Sequence, residues 1–168
     1  MEEEKFDLEA FVENEVKSVQ VVDLHTHLFP PEHDELFLWG IDELLNYHYI
    51  VSEFFMVASS DVTSQAFFAE YTEEKRSDLI WTTLFVLRTP VSEACQGVIR
   101  VLSRLGLEKH LKDDTLDSIR AWFHERQKDP REYAKTIFEL AGIKYVVMTN
   151  IPFVEEEARY WENQVNFD

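Results

Sequence analysis

The chain of 168 residues is 45% hydrophobic and 14% aromatic, a composition that excludes a disordered or collagen-like protein. Its 33 acidic residues outnumber 16 Lys and Arg residues, and the net charge of −17 repels nucleic-acid backbones and anionic membrane surfaces. The lone Cys95 cannot form an intramolecular disulfide, which is typical of a reducing compartment. We therefore expect a soluble, cytoplasmic protein with neither a nucleic acid nor a membrane as its partner.

The N-terminal part of the chain predicts one helix and one strand. Residues 2–17 place apolar side chains mostly at spacings of three and four, which predicts an amphipathic helix whose apolar face needs a partner. Residues 19–24 form a short β-branched run that ends before two prolines, and this pattern predicts a buried strand.

The long stretch that follows is helical, and a second strand comes after it. Residues 143–150 form another β-branched run and predict a strand, whose polar exit residues Thr149 and Asn150 could line a pocket. The predicted helices span 41–58, 77–87, 90–105, 115–127, 130–141 and 154–161; the third ends at Gly106 and the fifth at Gly142.

His25 and His27 stand two residues apart at the exit of the first predicted strand, so both imidazoles project to one face. One element that supplies two imidazoles is a usual donor pair for Zn²⁺ or another divalent ion. Asp23 shares that face by parity and could orient a ligand. Further ligands would come from His33, His48, a carboxylate or residues outside the sequence, and the alternative is a surface histidine pair near a turn.

His48 and Tyr49 fall in the apolar helix predicted for residues 41–58. A single histidine in such a helix is more often a core residue with a hydrogen-bond partner than a functional one, and pattern alone favours that interpretation. With four glycines in the chain, a phosphate-binding glycine loop is absent from the sequence.

Short motifs along the chain resemble one enzyme family. The segment DLHTHL at 23–28 resembles the metal-binding first strand of the amidohydrolase superfamily. Within that superfamily the segments YHY at 47–49, WTTL at 81–84, TLDSI at 115–119 and YVVMTNIP at 145–152 resemble the uronate isomerase family. The similarity runs from about residue 19 to residue 161 and matches the N-terminal portion of the family.

This resemblance implies an α/β fold, the N-terminal part of a (β/α)₈ TIM-barrel-like metal-dependent hydrolase fold. The chain would be mostly helical because a large helical insertion follows the first strand. The expected division is 1–31 for the N-terminal helix and first barrel strand, 32–142 for the helical insertion, and 143–168 for the second strand and the start of the next helix.

The resemblance also implies aldose–ketose isomerisation of a hexuronate, glucuronate or galacturonate, in a longer parent protein. His25 and His27 would bind the divalent metal, with zinc preferred, while His48 and Tyr49 would contact the sugar acid and act in catalysis. Residues 50–53 (IVSE) stand where an arginine-bearing stretch is expected, although a bidentate arginine is the natural partner of a carboxylate.

Two other functions stay open, and by itself the chain is expected to show little turnover. One is a non-catalytic helical interaction module, whose open sheet edge would pair with a second copy or a barrel-completing chain. The other is a metal-dependent hydrolase of the same superfamily that cleaves an ester, amide or lactone.

Overall fold

The computed structural model describes residues 6–29 and 39–149, together with residues 154, 155 and 158. The described residues are mostly helical and contain a small parallel sheet. No helix among them is long and apolar enough to cross a membrane. The chain divides into two compact units, the first comprising Met1–Phe37 with Pro130–Asp168 and the second Leu38–Asp129.

The helices and strands of the described chain follow in order. They are α1 (Leu8–Ser18), β1 (Val21–Thr26), α2 (Gly40–Leu45), α3 (His48–Val57), α4 (Ser64–Ala69), α5 (Glu73–Trp81), a π-helical turn (Thr82–Val86), α6 (Glu93–Arg104), a 3₁₀ helix (Glu108–Lys112), α7 (Asp117–Arg126), α8 (Pro130–Ala141) and β2 (Ile143–Met148).

In the first unit, β1 and β2 pair in parallel, an arrangement that requires a long crossover connection between them. The register runs from Val21 opposite Ile143 to Thr26 opposite Met148 and is irregular between Val21 and Val22 and between Asp23 and Thr26. His25 therefore lies within an irregular part of the pairing.

The prediction that the first strand is buried is wrong for the described structure. Every residue of β1 is exposed or half-buried, and Leu24 is 68% exposed. The apolar side chains of α1 are also exposed, and no residue of α1 or α8 is buried. The reason is that two strands and two helices offer too few neighbours to enclose a core.

The second unit contains the hydrophobic core. Phe54 of α3, Phe67 of α4 and Trp81 of α5 are almost completely inaccessible to solvent, and the Phe54 and Phe67 rings stack with centroids 5.3 Å apart. The other buried apolar residues of the described chain also belong to this unit; they are Ile41, Leu45, Ile50, Val51, Ile80, Leu84, Phe85, Cys95, Val98, Leu102, Leu107, Leu116, Ile119 and Phe123.

The single helix predicted for residues 41–58 is two helices, because Asn46 ends the first of them. The Asp42 carbonyl accepts hydrogen bonds from both the backbone N–H and the side-chain amide of Asn46, each at 2.9 Å. The same amide donates to the buried Ser77 hydroxyl at 2.8 Å. The chain therefore restarts at Tyr47, and α3 begins at His48.

The predicted helix ends at two glycines are confirmed. Gly106 and Gly142 have φ angles of +75° and +66°, the left-handed conformation that glycine adopts at least cost. Helix α4 has no counterpart among the predicted elements. Helix α8 groups with the strands, although it was predicted to belong to the insertion at 32–142. The three-part division itself stays a prediction.

Candidate metal and substrate residues

The structure brings the two predicted metal ligands together at the exit of β1. The His25 and His27 rings have centroids 5.3 Å apart and meet edge-on at 89°. Both residues are exposed, so an ion can reach the imidazole nitrogens from solvent.

Asp23 contacts the main chain of the first histidine. The Asp23 carboxylate accepts a hydrogen bond from the His25 backbone N–H at 3.0 Å. This contact occurs where the register between the strands is irregular. Asp23 thus supports the backbone that carries His25.

The exit of β2 contacts the carbonyl that lies between the two histidines in the chain. The Thr149 backbone N–H donates to the Thr26 carbonyl at 2.8 Å, and the Thr149 hydroxyl donates to the same oxygen at 3.2 Å. The sequence analysis singled out Thr149 as a pocket residue together with Asn150, which lies outside the described residues.

The separation of the two histidine rings is compatible with two ligands of one zinc ion. Imidazole nitrogens bind zinc at about 2.0–2.1 Å, so two rings at tetrahedral angles have centroids roughly 5 Å apart. The observed 5.3 Å fits this value. Within the described chain no group of three or more His, Cys, Asp or Glu residues is arranged to hold a metal. His33, another candidate ligand, lies outside the described residues.

His48 and Tyr49 occupy the first turn of α3, and His48 is exposed. The interpretation of His48 as a core histidine is therefore wrong, because the helix begins at this residue and the His48 and Tyr49 side chains face solvent. Tyr47, 53% exposed, and Tyr49, 61% exposed, each place a ring centroid 4.2 Å from that of His48. Three aromatic side chains thus form one accessible cluster.

A cavity of about 590 Å³ lies beside Tyr49, and two of its lining residues are acidic. It is lined by Tyr49, Ser52, Glu53, Glu93 and Ala94, with neither Lys nor Arg among these residues. The hydroxyl of Ser92, at the start of α6, donates to the Glu53 carboxylate, which ties α3 to α6. The carboxylates of Glu53 and Glu93 disfavour the binding of an anionic group in this cavity.

Cys95 lies next to the same carboxylate, with its sulfur 3.6 Å from Glu53. The thiol is buried, and burial raises its pKa, to which the Glu53 charge adds. These surroundings disfavour the reactive thiolate. Cys95 is therefore a core residue, as its type suggests.

No protein-family model matches the chain, and no curated protein matches it. A solved structure of a uronate isomerase from Bacillus halodurans C-125 superposes with a TM-score of 0.81 at 44% identity. The match covers 90% of this chain and 34% of that protein, so the chain spans about a third of its length.

The chain is therefore uronate-isomerase-like. Identity of 44% over nine-tenths of the chain, combined with the same backbone arrangement, confirms the predicted resemblance. The coverage figures also fit the predicted correspondence to the N-terminal portion of such a protein.

Proposed function

We propose that this chain supplies the first part of a (β/α)₈ barrel whose first βα connection is expanded into helices. The whole protein would isomerise a hexuronate, glucuronate or galacturonate, to the corresponding ketose in the cytoplasm. The observation that carries this proposal is the similarity to the Bacillus halodurans uronate isomerase over 90% of the chain. Parallel pairing of β1 and β2 across a helical stretch supports the barrel.

In this proposal His25 and His27 hold a divalent metal, which we expect to be zinc. Their edge-on rings and their separation of 5.3 Å support this role. When bound, such an ion polarises a carbonyl oxygen and stabilises the negative charge that develops there. Asp23 and Thr149 would hold the strand exit in place around the two ligands.

His48 and Tyr49 are the proposed substrate and catalytic residues. Aldose–ketose exchange moves a proton between adjacent carbons through an enediol, which requires groups that donate and accept protons. The Tyr49 hydroxyl can donate a hydrogen bond or a proton to a sugar oxygen, and the His48 imidazole can bind the sugar or carry a proton. The exposure of both side chains supports direct contact with a ligand.

The experiment is an assay of glucuronate and galacturonate isomerisation by the protein as its source makes it. We expect turnover that a chelator abolishes and zinc restores, and at least a hundredfold loss when His25 and His27 are both changed to Ala. His124→Ala is the matched control, since His124 is an exposed histidine on α7. Equal activity of the double variant and the control would contradict the proposal.

The acidic cavity beside Tyr49 favours a second candidate, a metal-dependent hydrolase for a neutral ester, amide or lactone. Glu53 and Glu93 line this cavity, and residues 50–53 contain no arginine to pair with a carboxylate. Turnover of a neutral lactone with none of either hexuronate would select this candidate. Turnover of a hexuronate alone would exclude it.

A further inference from the structure

The carbonyl of Thr26 lies between His25 and His27 in the chain, and Thr149 donates two hydrogen bonds to it. One is the backbone bond expected from a neighbouring strand, at 2.8 Å. The other, from the Thr149 hydroxyl at 3.2 Å, is not required by strand pairing. Thr26 and Thr149 are both half-buried, so water competes for this carbonyl less than on an exposed loop.

The position of this contact matters because the sheet is irregular just before it. Between Asp23 and Thr26 the register shifts, and the His25 N–H is bonded to the Asp23 side chain. Regular pairing therefore does not set the direction of His25. After His25 the contacts between the strands begin again. Thr26 pairs with Met148, and Thr149 donates two hydrogen bonds to the Thr26 carbonyl.

We propose that Thr149 is a positioning residue for the histidine pair, and that its hydroxyl fixes the ring separation at which His25 and His27 bind one divalent ion. The part that concerns the ion rests on the proposed function. Loss of a hydrogen bond to a metal ligand itself typically costs tenfold to hundredfold in metal affinity, and Thr149 acts on the residue next to both ligands. Because the backbone bond persists without the hydroxyl, we expect the lower end of this range, about tenfold.

The first measurement needs no metal. In the full chain, we expect a nuclear Overhauser effect between the His25 and His27 ring protons, since the ring centroids are 5.3 Å apart. Thr149→Val keeps the β-branched shape and removes the hydroxyl, and it should weaken this signal. Thr149→Ser keeps the hydroxyl and should preserve it.

The second measurement is zinc affinity, by competition with a chromophoric chelator. Thr149→Val should bind zinc about tenfold more weakly than the parent chain, and Thr149→Ser should bind within twofold of it. Thr136→Val is the matched control, because the Thr136 hydroxyl also donates to a backbone carbonyl, that of Glu132, within the same unit. Its zinc affinity should equal that of the parent.

The outcomes separate the positioning role from the metal role. Unchanged ring contact and unchanged zinc affinity in Thr149→Val would overturn the proposal, as would equal losses in the Val and Ser variants. If the parent chain binds no zinc while Thr149→Val alone loses the ring contact, the positioning role stands and the metal role of the proposed function fails.

Discussion

Asp42, in the first turn of α2, joins residues that lie far apart in the chain. The Arg120 guanidinium donates to both Asp42 carboxylate oxygens, at 3.0 Å from Nε and 2.8 Å from Nη2. A third nitrogen of Arg120 lies 2.8 Å from Asp78. Hydrogen bonds and the charge of Asp42 raise the pKa of Arg120 further above its ordinary range. Arg120 therefore stays charged and connects α2, α5 and α7.

Removal of Arg120 should destabilise the fold. Arg120→Ala leaves Asp42 half-buried without its bidentate partner, and we expect a loss of about 3 kcal/mol in the free energy of unfolding. Urea unfolding measures this loss. Arg100→Ala, at an exposed position on α6, is the control and should change stability by less than about 0.5 kcal/mol. Equal effects of the two substitutions would mean that the hydrogen bonds of Arg120 to Asp42 contribute nothing to the free energy of unfolding.

The ionisation of Glu43 should make the stability of the protein depend on pH. Burial and the charges of Glu73 and Asp42 raise the pKa of Glu43 above its ordinary 4.5. The folded state therefore binds this proton more tightly than the unfolded chain does. Stability falls as the pH rises from the ordinary value through the raised one, because Glu43 ionises next to two carboxylates.

Glu43→Gln should remove this part of the pH dependence. At pH 7 we expect the variant to be more stable than the parent by about 0.5 kcal/mol, and at pH 3 the difference should vanish. The control Glu139→Gln, at an exposed position on α8, removes the same charge without those neighbours. Denaturant unfolding of the variants at both pH values measures this difference. An equal gain in stability in the control would show that the effect comes only from the lower net charge.

At the scale of elements, the helix ends show which features depend on local chemistry. Thr63, Thr72 and Ser92 cap α4, α5 and α6 by accepting a hydrogen bond from the backbone N–H three residues later. Gly106 ends the segment that contains α6 in the left-handed conformation. Each contact involves residues within a few positions of one another. The glycine end was predicted, whereas α4 was missed and the predicted helices 77–87 and 90–105 did not begin where α5 and α6 do, at Glu73 and Glu93.

Replacing each of the two glycines of this segment by alanine should change the stability of the protein in opposite directions. Gly97 lies inside α6 with open space around its Cβ position, so Gly97→Ala should stabilise the protein by about 1 kcal/mol. Gly106 also has open space but a φ of +75°, so Gly106→Ala should cost about 1 kcal/mol through backbone strain alone. Chemical unfolding of both variants tests this, and the same sign in both would contradict the geometry.

At the scale of the whole chain, the two units differ in how much they bury. All buried apolar residues of the described chain belong to Leu38–Asp129, whereas α1, β1, α8 and β2 contain none. Since burial of apolar surface dominates the stability of a fold, the second unit holds most of the stabilising energy of the described residues. The first unit should open more readily.

Amide hydrogen exchange should reveal this difference directly. We expect the slowest exchange in α3, α5 and α6, which contribute Phe54, Trp81 and Leu102 to the core, with free energies of opening close to the global value. The amides of β1 and β2 should exchange at least tenfold faster. Equal protection in the strands and in α5 would mean that the sheet is covered in solution.

The features that depend on near neighbours were predictable. Alternation along a strand places His25 and His27 on one face, and the structure brings their rings together. Glycine chemistry gives the ends of the helices at Gly106 and Gly142. The segment that contains the two histidines was one of the motifs that carried the resemblance to uronate isomerases, which the solved neighbour confirms.

By itself, then, the sequence determined the two strands, most helices and the histidine pair, because caps, periodicity and alternation act within a few residues. Tertiary structure alone decided that residues 41–58 break at Asn46, since its amide reaches Ser77, 31 positions away. That break exposes His48 at a helix start. The tertiary structure also decided which carboxylate pairs with Arg120 and how far β1 is exposed, because burial and long-range pairing depend on which elements pack together.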